Sequence, residues 1–376
     1  MSTATAAVVD RVEQTRPAQE RLFSLDLFRG VTIAAMIVVN NQNSDSAYWP
    51  LQHASWNGWT PTDLVFPFFL FIVGVSLVFS FRSRLDRGDS RRALVLHTLR
   101  RSAILFAVGL GLNGLAALQF GTWRIPGVLQ RIAAVYCAAG LLTLFASIRS
   151  RAAWVAALLF GYWILMRYVP IPGYGVPGRD IPLLHHDANL AAYLDRKLMF
   201  GHLWEPTRDP EGILSTLPAI ATGLCGVLTG EWLRSERRAE EKLAGMFASG
   251  IIGVVAGQLW GFWFPINKNL WTSSYVLFSA GCALICLAAC YWVSDMKRHR
   301  GAWSKPFLIF GVNSITAYVI SELIGGWLGW KGYTWLRSPA WMDSAGLASL
   351  LYSLVVLGLC FVPVWWLYRR HIFLKV

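Results

Sequence analysis

The chain has 376 residues, of which 55% are hydrophobic and 14% aromatic but only 15% charged. With a mean hydropathy of +0.45 it is too apolar for a soluble globular domain and reads as a polytopic membrane protein. The formal charge of +13 implies no nucleic-acid partner, because an arginine excess is what the cytoplasmic loops of membrane proteins carry.

In chain order, residues 1–20 lack the uninterrupted apolar core of a signal peptide and read as a short disordered cytoplasmic tail. Apolar runs then predict ten spans, near 27–44, 63–81, 102–119, 127–147, 152–169, 213–230, 243–264, 272–293, 306–328 and 345–367. Each is close to the roughly 20 residues that cross a bilayer. The expected fold is all-α, a transmembrane helical bundle forming a single domain over 21–376. With the first segment inside, 24 of the 34 Lys and Arg residues fall on the inner side and 9 on the outer, with Arg131 inside a span. By the positive-inside rule, both termini are then cytoplasmic.

That topology puts residues 45–62, which hold no Lys or Arg, on the outer face. There the chain reads WPLQHASWNGWTPTDLVFPFFLFIVG from Trp49 to Gly74, joining an aromatic loop that carries His53 to the second span. A second outer segment, roughly 170–212, contains six prolines from Pro170 to Pro210. It is too long for a simple connection and reads as an ordered lid or vestibule. All six cysteines fall in apolar runs, with no disulfide or zinc spacing. His185 and His186 are adjacent and point apart on most backbones, so no metal site is expected with them or with His202.

Polar groups inside spans are costly and by default mark a site or a buried pair. Asn40, Asp63, Arg131, Asn269 and Glu322 all belong to the outer third, with His53 above them and Lys268 alongside. All can line one outward-facing cavity. Asp63 and Arg131, each at the outer end of its helix, are placed to form a buried ion pair, whether structural or polarising His53. Trp56 and Asn57 belong to the same loop. His53 itself reads either as a reacting group or as an interfacial side chain in an aromatic belt.

Three stretches punctuated by Gly and Pro carry polar groups beyond what a turn needs. The run RIPGVLQR from Arg124 to Arg131 opens a helix and places Gln and Arg one turn inside. DPEGILST, from Asp209 to Thr216, puts acidic groups where a helix dipole favours them. PINKNLW, from Pro265 to Trp271, places two Asn and a Lys on one turn.

These three blocks, together with SLDLFRG from Ser24 to Gly30, HASWNGWTPTDLVFP from His53 to Pro67 and GVNSITAY from Gly311 to Tyr318, occur in order over nearly the whole chain. The sequence thereby resembles the transmembrane acetyltransferases related to heparan-alpha-glucosaminide N-acetyltransferase, bacterial members included. The resemblance implies acetyl transfer from cytoplasmic acetyl-CoA, as co-substrate and without a metal, to the amino group of a terminal glucosamine on the far side. For a bacterial chain this means a multi-pass protein of the inner membrane, with the acceptor in the periplasm.

In that family His53 matches the active-site histidine, and Asn40 an asparagine near it. The lysosomal relative has a large lumenal domain and an extra span before the region this sequence matches, so free glucosamine or a short cell-wall or chitin-derived sugar is the expected acceptor. The amine must lose a proton as it attacks the thioester, which suits an imidazole, a group with an ordinary pKa near about 6.5. Equally, the ring can take the acetyl group first and pass it on. Asn40 is then placed to steady the thioester oxygen and Asp63 to orient the imidazole.

Arg29, at the inner start of the first span, is the candidate for a coenzyme A phosphate. Asn313 and Ser314 are candidates for the pantetheine amides. Arg131, Lys268, Asn269, Glu322, Trp56 and Asn57 remain for the sugar. The family also implies a homodimer, and glycines such as Gly250, Gly253, Gly257, Gly325 and Gly326 permit close helix contact. An amino-sugar transporter using the same cavity without chemistry is the alternative reading.

Overall fold

The computed structural model describes residues 22–43, 45–117, 120–338 and 344–374; the expected tail at 1–20 lies outside them. Twelve α-helices are described: α1 (Phe23–Asn40), α2 (Val65–Asp86), α3 (Arg91–Ala117), α4 (Val128–Phe145), α5 (Ile148–Tyr168), α6 (Leu190–Met199), α7 (Thr216–Arg234), α8 (Ala239–Trp260), α9 (Ser273–Tyr291), α10 (Lys305–Val312), α11 (Ser314–Arg337) and α12 (Ala345–Arg369). Among the described residues β-structure is limited to two isolated bridges, Ile171 with Gly175 and Pro177 with Ile181.

A helix lies in each of the ten regions expected to span. Seven of the described helices are long and apolar enough to cross a membrane. An eighth span is obtained if α10 and the start of α11, which meet at a bend of 82°, are one broken crossing. The break falls at Asn313, whose backbone leaves the helical region (φ −118°, ψ 41°).

Helices α2 and α7 form the central pair, and glycine makes their contact possible. A Cβ at Gly226 would stand 2.0 Å from the Phe71 carbonyl oxygen, and one at Gly74 would stand 1.9 Å from that of Gly223. Where two backbones meet this closely, only hydrogen fits. Helices α8 and α9 pack in the same way: a Cβ at Gly257 would lie 2.4 Å from the Phe278 amide and one at Gly253 would lie 3.1 Å from Gly281 Cα. The glycines read as available for a second copy at 250, 253 and 257 are thus spent within the chain.

The segment between α5 and α7, expected on the outer face, is ordered by its own polar contacts. The Asn189 side chain accepts from the Ala192 amide and caps α6. Arg196 donates to the Asp187 and Thr207 carbonyls, each at 2.8 Å. Trp56 docks the first outer loop beneath this segment. Its indole N–H donates to the Leu184 carbonyl at 2.8 Å, its ring lies 4.0 Å from that of His186, and the Arg208 guanidinium covers it at 4.6 Å.

Candidate active site

The site begins with the cap of α2. Pro61 opens a short 3-10 turn (Pro61–Leu64), and Thr60 with Asp63 forms a capping box in which each side chain satisfies a backbone amide that the helix leaves open. One Asp63 oxygen, Oδ2, accepts from the Thr60 amide at 3.0 Å, the Ala54 amide at 3.0 Å and the Thr60 hydroxyl at 3.1 Å. The Tyr275 hydroxyl donates to the Asp63 carbonyl. The carboxylate is fixed on every side and its side chain is only 1% exposed.

The other oxygen, Oδ1, faces the imidazole. It meets His53 Nδ1 at 2.6 Å, while half of the His53 side chain remains exposed. A carboxylate on Nδ1 sets the ring's orientation and favours the tautomer that leaves Nε2 able to accept a proton or attack. Lys268 Nζ reaches the same ring, 3.1 Å from Nδ1 and 3.3 Å from Nε2, and stands 3.8 Å from Asp63 Oδ1. Burial pulls the Lys268 ammonium below the ordinary lysine range, and Asp63 and Glu211 oppose that pull.

Lys268 is delivered by a turn built for the purpose. The Asn267 side chain accepts from the Leu270 amide at 2.9 Å and donates to the Trp56 carbonyl at 3.0 Å and to Asn57 Oδ1 at 3.2 Å. The Gly58 amide donates to the Ile266 carbonyl at 2.7 Å. Trp271 closes the turn with φ 50°, a conformation a bulky side chain rarely adopts and one that such sites tolerate when packing over-determines it. Its buried ring packs against Phe66 and Tyr275, and its N–H donates to Thr222 at 3.1 Å. Asn269 sits half-buried on the same turn.

The remaining expected residues separate into three places. Asn40, exposed at the end of α1, shares Glu322 with the Tyr318 hydroxyl. The ion pair expected between Arg131 and Asp63 is not formed among the described residues. Arg131 is buried beneath the outer segment, where it donates to Gly212 O and Ser215 Oγ and lies over the Trp271 ring at 5.0 Å. Asp63 takes Lys268 as its cation because the 265–272 turn brings that side chain in from above. Asn313 is 1% exposed, and its amide is occupied by the backbone of the C-terminal segment, donating to the Ile372 carbonyl at 3.1 Å and accepting from the Leu374 amide at 3.0 Å.

The acidic pair of the DPEGILST block does not serve the helix dipole; it clamps Arg124. Arg124 bonds both Asp209 oxygens, at 2.8 and 2.7 Å, and Glu211 Oε2 at 2.5 Å. Glu211 was absent from the expected site, yet its charge acts on Arg124, Arg131, Lys268, Tyr275 and Tyr318. The available signal was complementary charge in two of the quoted blocks, RIPGVLQR and DPEGILST.

At the other end of the bundle a cavity of about 510 Å³ opens beside α2. It is lined by Arg29, Ser76, Arg84, Arg87, His97, Arg101, Tyr136 and Ser314, and reaches Phe69. Arg29 holds Asp26 at 3.0 Å and Ser76 at 2.6 Å. Among the described residues Arg101 Nε and the Tyr136 hydroxyl are buried without a hydrogen-bond partner, the guanidinium lying 4.7 Å from the Tyr136 ring centre.

Residues 21–259 match the family model described as heparan-alpha-glucosaminide N-acetyltransferase, catalytic. The chain belongs to that family. It is 31% identical to heparan-alpha-glucosaminide N-acetyltransferase of Mus musculus over 97% of its own length, and 32% identical to the Homo sapiens protein of that name over 95%. It spans 62% and 60% of those two relatives. Within the heparan-alpha-glucosaminide N-acetyltransferase match fall Arg29, Asn40, His53, Trp56, Asn57, Asp63, Arg124, Arg131 and Glu211. Lys268, Asn269, Asn313, Ser314 and Glu322 lie beyond it.

Proposed function

We propose that the chain is a transmembrane acetyltransferase that takes the acetyl group from acetyl-CoA at the inner face and gives it to the amino group of a glucosamine-type sugar at the outer face. The observation that carries this reading is His53, half-exposed, with Nδ1 held by a buried carboxylate at 2.6 Å. That is the arrangement a base or acyl-accepting imidazole requires.

The coenzyme end of the reading rests on the inner cavity. An unpartnered buried guanidinium N–H and phenol O–H are costly unless a ligand meets them, and arginine pairs with phosphate in forked geometry. Arg84, Arg87, Arg101 and Arg29 would hold the phosphates. Ser314 remains a candidate for the pantetheine amides; Asn313, buried against the C-terminal segment, does not line the cavity.

The cavity follows α2 from Arg87 to Phe69, roughly 27 Å at 1.5 Å per residue. Its far end is six residues from Asp63, a rise of about 9 Å. A pantetheine arm lying along that helix would bring a thioester toward His53.

In the transfer, the thioester C–S bond breaks, the sulfur leaves as the coenzyme thiol, and a C–N bond forms to the sugar amine. His53 either removes the amine proton or carries the acetyl group between the two. Asp63 positions the ring in both routes. Asn40 and Glu322 would receive the sugar from the outer side, with Lys268, Asn269, Trp56 and Asn57 completing the rim. The assembly is proposed to be a homodimer in a bacterial inner membrane, with both termini cytoplasmic.

The test is release of free coenzyme A by purified protein given acetyl-CoA and glucosamine. His53→Ala is expected to abolish release while leaving the thermal midpoint unchanged. Vesicles that accumulate unmodified sugar without acetyl-CoA, and with no coenzyme A released, would overturn the enzyme reading in favour of an amino-sugar transporter.

A further inference from the structure

A second inner cavity, of about 600 Å³, lies on the opposite flank of α2. The last turns of α2 divide between the two spaces: Ser80, Ser83, Arg84 and Arg87 line the one already described, and Val78, Phe81, Arg82 and Leu85 line this one. Helical periodicity makes that division, since residues three or four apart share a face. Nothing in the proposed transfer uses this second space.

Its charge comes from four helices or their ends: Arg82 of α2, Arg91 at the start of α3, Arg151 of α5 and Arg234 at the end of α7. Two of the four are accounted for. Arg82 Nε pairs with Asp86 at 3.0 Å. Arg151 pairs with Glu231 at 2.6 Å and also donates to the Thr143, Ala146 and Leu142 carbonyls, closing the end of α4. Among the described residues neither Arg91 nor Arg234 has an ion-pair partner within 4.0 Å; Arg82 presses its like charge on Arg234, and Asp86 and Glu231, already paired with Arg82 and Arg151, act on it only from a distance. The cavity therefore has two guanidinium groups more than its carboxylates balance.

The rim is apolar. Phe145 and Ile148, on either side of the α4–α5 turn, are 68% and 55% exposed at the cavity edge. They face outward at the end of the bundle where the arginines collect, which is where the headgroup layer of a bilayer meets its acyl chains. An anion carrying hydrocarbon satisfies both halves of this surface, and a bare anion satisfies only one.

We propose that this cavity binds the phosphate of an anionic phospholipid, with Arg91 and Arg234 on the phosphate and Phe145 and Ile148 against the acyl chain. The full-length protein would be purified into nanodiscs of phosphatidylcholine containing a graded fraction of phosphatidylglycerol, and the retained lipid counted by native mass spectrometry. Wild type is expected to retain phosphatidylglycerol over phosphatidylcholine, and the Arg91→Gln/Arg234→Gln variant to lose roughly tenfold to thirtyfold of that preference, as two interfacial arginines warrant. Arg91→Lys/Arg234→Lys keeps the charge and is expected to retain most of the preference, which controls for folding.

Equal retention by wild type and the Gln variant, or no preference in wild type, would overturn the proposal. Inorganic phosphate is the second arm. If millimolar phosphate in detergent raises the thermal midpoint of wild type as far as phosphatidylglycerol does, the site is one for a soluble anion and the lipid assignment fails.

Discussion

The His53 site and the cavity at the other end of α2 are built on opposite plans. At the first, the Asp63 carboxylate is met by two backbone amides, a hydroxyl, an imidazole and an ammonium. At the second, Arg101 Nε and the Tyr136 hydroxyl are buried donors that no group among the described residues meets. A fully satisfied cluster is rigid and pre-organised, which favours transition-state stabilisation. An unsatisfied one pays its cost until a ligand arrives, which favours recognition. The difference supports the proposed reading, with reaction at one end of α2 and coenzyme binding at the other.

The strongest way to break that comparison is Asp63→Asn. The amide can keep the contacts that cap α2 while losing the negative charge and acceptor facing His53. Turnover is expected to fall by roughly 10²–10⁴ with the donor KM little changed. A KM effect without a turnover effect would place the reaction elsewhere.

Asp195→Asn probes the frame around the outer site. Asp195 is buried, accepts from the Ile213 amide at 2.9 Å and stands against Gly212, whose carbonyl in turn takes Arg131. Burial pushes its carboxyl up to about 6. As pH rises from the unfolded value near 3.8 through about 6, the unfolded chain ionises first and the folded chain keeps its proton. Stability is therefore lost across that window and stays lost above it. The amide removes the cost, so the variant is expected to be more stable than wild type at pH 7.5, by up to about 3 kcal/mol, and nearly equal to it at pH 4. Matching pH dependence in thermal melts of the two proteins would count against this account.

Arg101→Gln, the smallest effect, sharpens the other side. It removes one charged donor from the inner cavity, and the KM for acetyl-CoA is expected to rise roughly tenfold, equivalent to about 1.4 kcal/mol, with turnover unchanged. A turnover loss equal to that of Asp63→Asn would erase the distinction between the two ends.

Much of this was legible in sequence because its cause is local. Apolar runs located helices in all ten expected regions, since burial in lipid depends on composition summed along a segment. The expected bounds departed in places: the ninth region is broken at Asn313, and α3 begins at Arg91, well before its apolar run. The link between His53 and Asp63 was also within reach, ten residues apart on either side of a Thr-Pro cap.

What the sequence by itself determined is a helical membrane protein with a histidine loop on the face poor in Lys and Arg, and membership in a family of acetyltransferases. Only the tertiary structure decided which charges meet. Lys268 comes to His53 across 215 positions of chain, Arg131 turns to Gly212 and Ser215, Glu211 joins Arg124, and Asn313 is spent on the C-terminal segment. The physical reason is that hydrophobicity adds along the chain, whereas an ion pair or hydrogen bond depends on distances of about 3 Å that are set when distant helices pack.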